Sequence, residues 1–184
     1  MYGVRSAEQQ ELAAAVRKLL QERSSEATVR ATMDSAEGYD RDLATLMAEQ
    51  MGLHGIAIPE EYGGAGFGFV ELSVLLEEMG RALLCGPFFS SAVLFATALL
   101  EAGNDEACRT WLPRIAAGRL AGTLAFAEDD DGLDERSIRL AARRDGEHYL
   151  LSGHKHHVLD GASAGRRPRS PRPTRRRVHG VCDR

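Results

Sequence analysis

Apolar residues return every three or four positions through most of the first 118 residues, the spacing that lays one stripe along a helix. Leu12, Val16, Leu19 and Leu20 form the first stripe. Ser6-Ala-Glu-Gln9 precedes it and reads as a capping box, in which the Ser6 hydroxyl accepts the Gln9 amide and the Gln9 side chain reaches back. A second helix is expected over Glu26–Met33. A third starts near Asp40 with Leu43, Leu46, Met47 and Met51 on one face, and Gly52 ends it in a left-handed conformation. Beyond a Gly-rich loop, Val70, Val74, Leu75 and Met79 mark a fourth helix. Pro87 then interrupts the chain. Ser91 to Ala102 is apolar almost all round, which predicts a helix buried on most sides. Asn104 caps a sixth helix that carries Trp111 and leads to Gly118.

Near Leu120 the pattern changes. Thr123–Phe126 reads as a short strand, and Ser137–Ala142 alternates polar and apolar as a half-buried strand does. Asp145-Gly146 is a hairpin turn with His148–Leu151 as its return strand, and Lys155–Leu159 is a candidate for one more. Six helices followed by strands suggest two structural units, 1–119 and 120–164. From Gly165 the periodicity disappears. Arg166 to Arg177 holds almost no apolar residue and cannot bury enough surface to offset chain entropy, so 165–184 is expected to be a disordered tail.

Composition sharpens this division. The net charge of −4 is spread unevenly: residues 1–161 carry 15 basic and 26 acidic side chains, and residues 162–184 carry eight Arg and one Asp. The body therefore has no basic excess for nucleic acid, while the tail is strongly basic. Cys85, Cys108 and Cys182 make neither a CxxC pair nor an even framework, which fits a reduced cytoplasm. Met1 to Gln21 is charged and helical in pattern, unlike a secretory signal. The least polar stretch, Ala92 to Leu100, is nine residues, against about 20 for a membrane span. A soluble, cytoplasmic protein is expected.

Two motifs carry the chemistry. Gly52-Leu-His-Gly-Ile-Ala-Ile-Pro-Glu-Glu-Tyr-Gly-Gly64 joins a helix end to a Pro, two acids and a Gly-rich turn, with the helical Glu71-Leu-Ser-Val-Leu-Leu-Glu-Glu-Met-Gly80 after it. Trp111-Leu-Pro-Arg-Ile-Ala-Ala-Gly118 leads into Gly122-Thr-Leu-Ala125. Together, in this order and at this distance, they resemble the acyl-CoA dehydrogenase family over roughly residues 5–164. The resemblance implies a mainly α fold, the N-terminal helical domain of the family followed by the first strands of a truncated middle β-domain. It also implies FAD-dependent α,β-dehydrogenation of an acyl-CoA thioester. Family members abstract the acyl α-proton with a glutamate of a C-terminal helical bundle and pass the β-hydride to the flavin. No glutamate of this sequence matches that base, so the catalytic assignment is none, and a lone 184-residue chain is expected to be inactive. Glu60, Glu61, Glu77 and Glu78 read as a solvated loop and helix face.

The resemblance also places the cofactor contacts. The family's first β-domain strand reads Thr-Glu-Pro, then Gly-Ser-Asp; here Phe126 precedes Ala127-Glu128-Asp129, then Asp130-Asp-Gly-Leu-Asp134. The second contact region reads Gly-x-Lys-x-Trp-Ile-Thr-Asn-Gly; here it is Gly153-His-Lys-His-His-Val-Leu-Asp-Gly161. Phe126, Ala127, Glu128, His157, Val158 and Leu159 are thus the candidate FAD contacts. His157 stands where the family has an aromatic, and hydroxyls are missing at Ala127 and Leu159. Phe88 and Phe89, between two helices, are the candidate lining of the acyl pocket, with ordinary packing an equal alternative. Some relatives form heteromers in which one subunit keeps part of the site. Val158-Leu-Asp-Gly161 resembles that kind of subunit, and equally a divergent branch of ordinary enzymes.

Other readings are weaker. His154 and His156 would share one strand face with His157 opposite, and two ligands make no zinc site. Placing Gly132 at the glycine of a calcium loop puts Ala127 and Ile138 where oxygen ligands belong. No metal is expected. The Arg-rich tail has no interleaved aromatic residue and no folded basic module before it, so nucleic-acid binding is the minor reading. Its abrupt onset in an Arg-biased chain, with 21 Arg against Lys18 and Lys155, reads better as a shifted frame.

Overall fold

A computed structural model describes residues 5–128, 135–146 and 148–164. Among these residues six α-helices precede one β-hairpin. The helices are α1 (Ala7–Arg23), α2 (Glu26–Met33), α3 (Arg41–Glu49), α4 (Phe69–Arg81), α5 (Ala96–Ala102) and α6 (Asp105–Ala116). The mainly helical fold expected from the sequence is the one observed, with a two-stranded sheet as the start of the β part. The expectations for 165–184, and for the acidic run 129–134, fall outside the described residues.

Local signals fix the helix ends. Ser6 and Gln9 form the full capping box, at 3.2 and 3.0 Å. Ser25, Asp40 and Asn104 each accept amides of the first turn that follows them. Gly52 is left-handed with φ 64° and stops the run from α3. The Gly-rich loop then folds back on the segment before it: Ala65, Gly66 and Phe67 donate to the carbonyls of Gly55, Ile58 and Ile56 at 2.9 Å each. Gly64 must be glycine here, because a β-carbon on it would fall 2.0 Å from the Ile58 carbonyl oxygen. The motif is therefore an ordered, backbone-bonded hairpin of loop. Tyr62 pins it to α6 through a 2.6 Å hydrogen bond to Asp105, with the Arg109 guanidinium 5.7 Å from the ring centre.

Burial gathers into two clusters. Val16 and Leu20 of α1, Leu43 and Met47 of α3, Leu53, Ile56, Leu72, Leu75, Met79 and Phe88 form the first. Ile58, Tyr62, Ala96, Leu99 and the inner face of α6 form the second. The stretch expected as one apolar helix is split: Phe89–Phe95 is π-helical and continues into α5. Its burial is confined to one stripe, Ser91, Ala92, Ala96 and Leu99; Val93, Leu94, Phe95, Ala98 and Leu100 are half-buried, and Ala102 is exposed. Glu78 corrects another expectation. It is completely buried rather than solvated, and it joins α4 to α1 by accepting from Arg17 Nε at 2.9 Å and from Arg81 Nε at 2.9 Å.

The strands are fewer than expected. Thr123–Phe126 has no ladder among the described residues. The second strand is displaced: β1 is Ala142–Asp145, paired antiparallel with β2, His148–Leu151, in the register Ala142↔Leu151 to Asp145↔His148. The cause lies at Arg139 and Leu140, whose amides donate to the Glu128 carboxylate instead of to a neighbouring strand. Lys155–Leu159 is not a strand, because His157 and Asp160 both adopt φ 51° and coil the chain into turns through Ala164.

Candidate functional site

The segments 123–128 and 155–159 lie side by side, joined by polar contacts. The Thr123 hydroxyl donates to the Leu159 carbonyl at 2.6 Å. The His156 amide donates to the Ala127 carbonyl at 2.9 Å. Lys155 Nζ donates to the Phe126 carbonyl at 3.0 Å and to Glu128 Oε1 at 2.6 Å. Lys155, helped by the Leu140 and Arg139 amides, holds the Glu128 carboxyl at a pKa of about 2. All six candidate cofactor residues therefore sit on two adjoining segments. Their exposure differs: Phe126, His157 and Leu159 are exposed, whereas Ala127, Glu128 and Val158 are half-buried.

The fit to a flavin is one of surface and backbone. The polar side chains of this region, Thr123, Glu128 and Lys155, are spent on each other and on neighbouring backbone. Facing outward, beside the exposed imidazoles of His156 and His157, is an apolar set: Leu124, Phe126, Ile138 and Leu159 are 36, 38, 51 and 46% exposed. Such a surface suits one face of a flat aromatic system. Thr123 and Lys155 tie the two segments together, a role that their places in the sequence motifs do not show. Lys155 lies within the second contact region, but its partner Glu128 is 27 residues away, a pairing no local pattern reveals.

Phe88 and Phe89 part company. Phe88 is buried in the first cluster, edge-on to His54 with ring centroids 5.1 Å apart, while Phe89 is 42% exposed. His54 is itself buried, its Nδ1 has no hydrogen-bond partner, and desolvation lowers its pKa to about 4. General-base catalysis works best with a carboxylate whose pKa is raised toward neutral pH, and the resolved shifts among the described acids run the other way. Those with displaced ionisation, Glu8, Glu71, Glu78, Asp105 and Glu128, are all displaced downward by hydrogen bonds to their charged forms. His154, His156 and His157 are exposed.

A helical body with two buried clusters and an adjoining pair of non-helical segments is the architecture of an acyl-CoA dehydrogenase N-terminal part. Residues 6–119 match the acyl-CoA dehydrogenase N-terminal domain, and the chain belongs to the acyl-CoA dehydrogenase family. It is 40% identical over 111 residues to acyl-CoA dehydrogenase FadE12 of Mycobacterium tuberculosis, covering 59% of this chain and 28% of that protein. The crystal structure of the ChsE4–ChsE5 complex from Mycobacterium tuberculosis superposes with a TM-score of 0.77 at 27% identity, covering 89% of this chain and 43% of that one. A glutaryl-CoA dehydrogenase from Mycobacterium smegmatis in complex with FADH2 gives 0.75 at 26% identity, covering 87% and 41%. The chain thus spans well under half the length of these relatives. No helix among the described residues is long and apolar enough to cross a membrane.

Proposed function

We propose that this chain serves FAD-dependent α,β-dehydrogenation of an acyl-CoA thioester, and that the 184 residues alone do not turn over. Residues 1–119 are the helical wall, 120–164 open the β-domain, and 165–184 are an appended tail. The observation that carries the reading is the side-by-side placement of 123–128 and 155–159 on a body that matches the family. Phe126, Ala127 and Glu128 on one segment, and His157, Val158 and Leu159 on the other, would hold the flavin by backbone groups and apolar contact. Phe89 is the better placed of the two phenylalanines to meet an acyl chain, because Phe88 is spent on the core. A flavin held there would supply the hydride acceptor. This chain's residues shape and dry one side of that site. The buried Glu78 and the half-buried Glu128 are each held ionised by cationic partners. Residence in the cytoplasm accords with the sparse cysteines, of which Cys85 and Cys108 are free.

The test is an assay of the pure chain with FAD, an artificial electron acceptor and a panel of acyl-CoA thioesters. Colourless protein without turnover is expected; turnover that follows the chain through repurification would overturn the inactivity. A second reading, a non-catalytic subunit of a heteromer, draws on the similarity to the ChsE4–ChsE5 complex. It requires activity that appears only when a full-length dehydrogenase is co-expressed and co-purifies.

A further inference from the structure

We infer that Ser91 is a positioning residue: from the π-helical stretch it fixes Gly122, and so sets where the ribbon 122–128 lies on the helical body. The consequence for a flavin rests on the function proposed above; the placement of the ribbon does not. A helical serine ordinarily turns its hydroxyl back to a carbonyl in the preceding turn. Ser90 does so, donating to Pro87 at 3.2 Å. Ser91 instead reaches across to a segment 31 residues later, accepting from the Gly122 amide at 2.9 Å and donating to the Gly122 carbonyl at 3.0 Å. One hydroxyl thus satisfies both backbone polar groups of one residue, with Ser91 1% exposed and Gly122 buried.

The π-helical stretch supplies a second clamp. π-Helical turns are rare and recur at functional sites. Phe95, the last residue of this one, covers Gly122 so closely that a β-carbon there would fall 2.0 Å from Phe95 Cδ1. From Gly122 the constraint passes along the chain. Thr123 holds Leu159, the Phe126 carbonyl takes Lys155, and the Ala127 carbonyl takes the His156 amide. The ribbon has no ladder among the described residues to hold it, so Ser91 and Phe95 together tie it to the buried body at Gly122.

Native-state hydrogen exchange of the whole chain tests this. Ser91→Ala leaves the Gly122 amide and carbonyl buried without partners, a loss that opens the ribbon locally. Exchange of the Gly122 amide, bonded to Ser91, and of the His156 amide, bonded to Ala127 of the ribbon, is expected to accelerate by roughly ten- to a hundredfold, while α1 and α4 stay as slow as before. Gly122→Ala, which collides with Phe95 rather than removing the hydroxyl, is expected to give the same local signature. Unchanged exchange in the ribbon in either variant, or acceleration spread equally over α1 and α4, would overturn the assignment. FAD titration of the parent chain and Ser91→Ala, each co-purified with a co-expressed full-length dehydrogenase, separates the two claims. Weaker FAD retention by Ser91→Ala extends the positioning to the flavin. Equal retention beside a loosened ribbon keeps the positioning and refutes the flavin contact by this ribbon.

Discussion

Replacing Glu78 by Gln tests how α1 is held to α4. The glutamate is completely buried, yet Arg17 and Arg81 keep 46 and 43% of their side chains exposed. Hydrogen bonds from Arg17, then Arg81, outweigh the desolvation that would raise its pKa, and hold it at about 2 against an ordinary 4.5. Every tenfold change in proton affinity is worth about 1.4 kcal/mol, so the full effect is about 3 kcal/mol. Because both cations reach solvent, screening brings the expected contribution to about 2 kcal/mol. The folded-state pKa lies below the unfolded one. The contribution is therefore fully present above about pH 4.5 and is lost as pH falls toward 2. Urea unfolding at pH 7 should show Glu78→Gln less stable by about 2 kcal/mol with an unchanged m-value. Between pH 4.5 and 2 the parent should lose stability more steeply than the variant. A variant within about 0.5 kcal/mol of the parent at pH 7, with the same acid slope, would refute the argument.

Three further outcomes follow from the same reasoning. His54, buried at a pKa of about 4, binds protons more weakly folded than unfolded, so its burial destabilises the protein as pH falls from 6.5 to 4. His54→Leu should flatten that part of the stability–pH curve by up to about 3 kcal/mol in urea titrations; an unchanged curve would refute the burial argument. Tyr62→Phe removes the hydroxyl bonded to Asp105 and should cost about 1–2 kcal/mol by thermal unfolding, whereas a neutral result would show that this contact does not hold the Gly-rich loop. Limited proteolysis should leave a resistant fragment ending between about 118 and 160, because burial is concentrated in the helices; uniform digestion would contradict it.

What the sequence made legible was local. The capping box at Ser6, the left-handed Gly52 and the Asn104 cap rest on neighbours within four residues, and each forms as expected. The hairpin too follows from its turn, since Gly146 adopts φ 64°. Glu78 departs from expectation because a glutamate on a helix reads as solvated until its cation partner is known, and Arg17 is 61 residues away. The strand expected at Ser137–Ala142 fails similarly: alternation gives the right type of residue, but Glu128, from another segment, takes the amides of Arg139 and Leu140. The π-helical turn leaves no trace in the hydrophobic period, because one extra residue per turn hardly disturbs a stretch that is apolar on nearly every side.

The two halves of the described structure are held by different physics. The helical half is closed by burial: Val16, Leu20, Leu75, Leu112 and Ile115 are fully buried, and its ion pairs decorate cores that apolar contact already makes. The half after residue 120 has no such core. Tyr149, Leu150 and Leu151 are at least 36% exposed, every residue of β1 is exposed, and the hairpin has two strands where three or more are usual for independent stability. Polar pins therefore set its shape: Ser91 to Gly122, Thr123 to Leu159, and Lys155 to Glu128. Pins fix position without supplying much net stability, because each replaces a bond to water. A ribbon held in position with Leu124 and Phe126 exposed leaves apolar surface that, on the function proposed above, a flavin would cover. That is the physical sense in which its surface suits a flat aromatic cofactor, and why the helical wall alone is not expected to act.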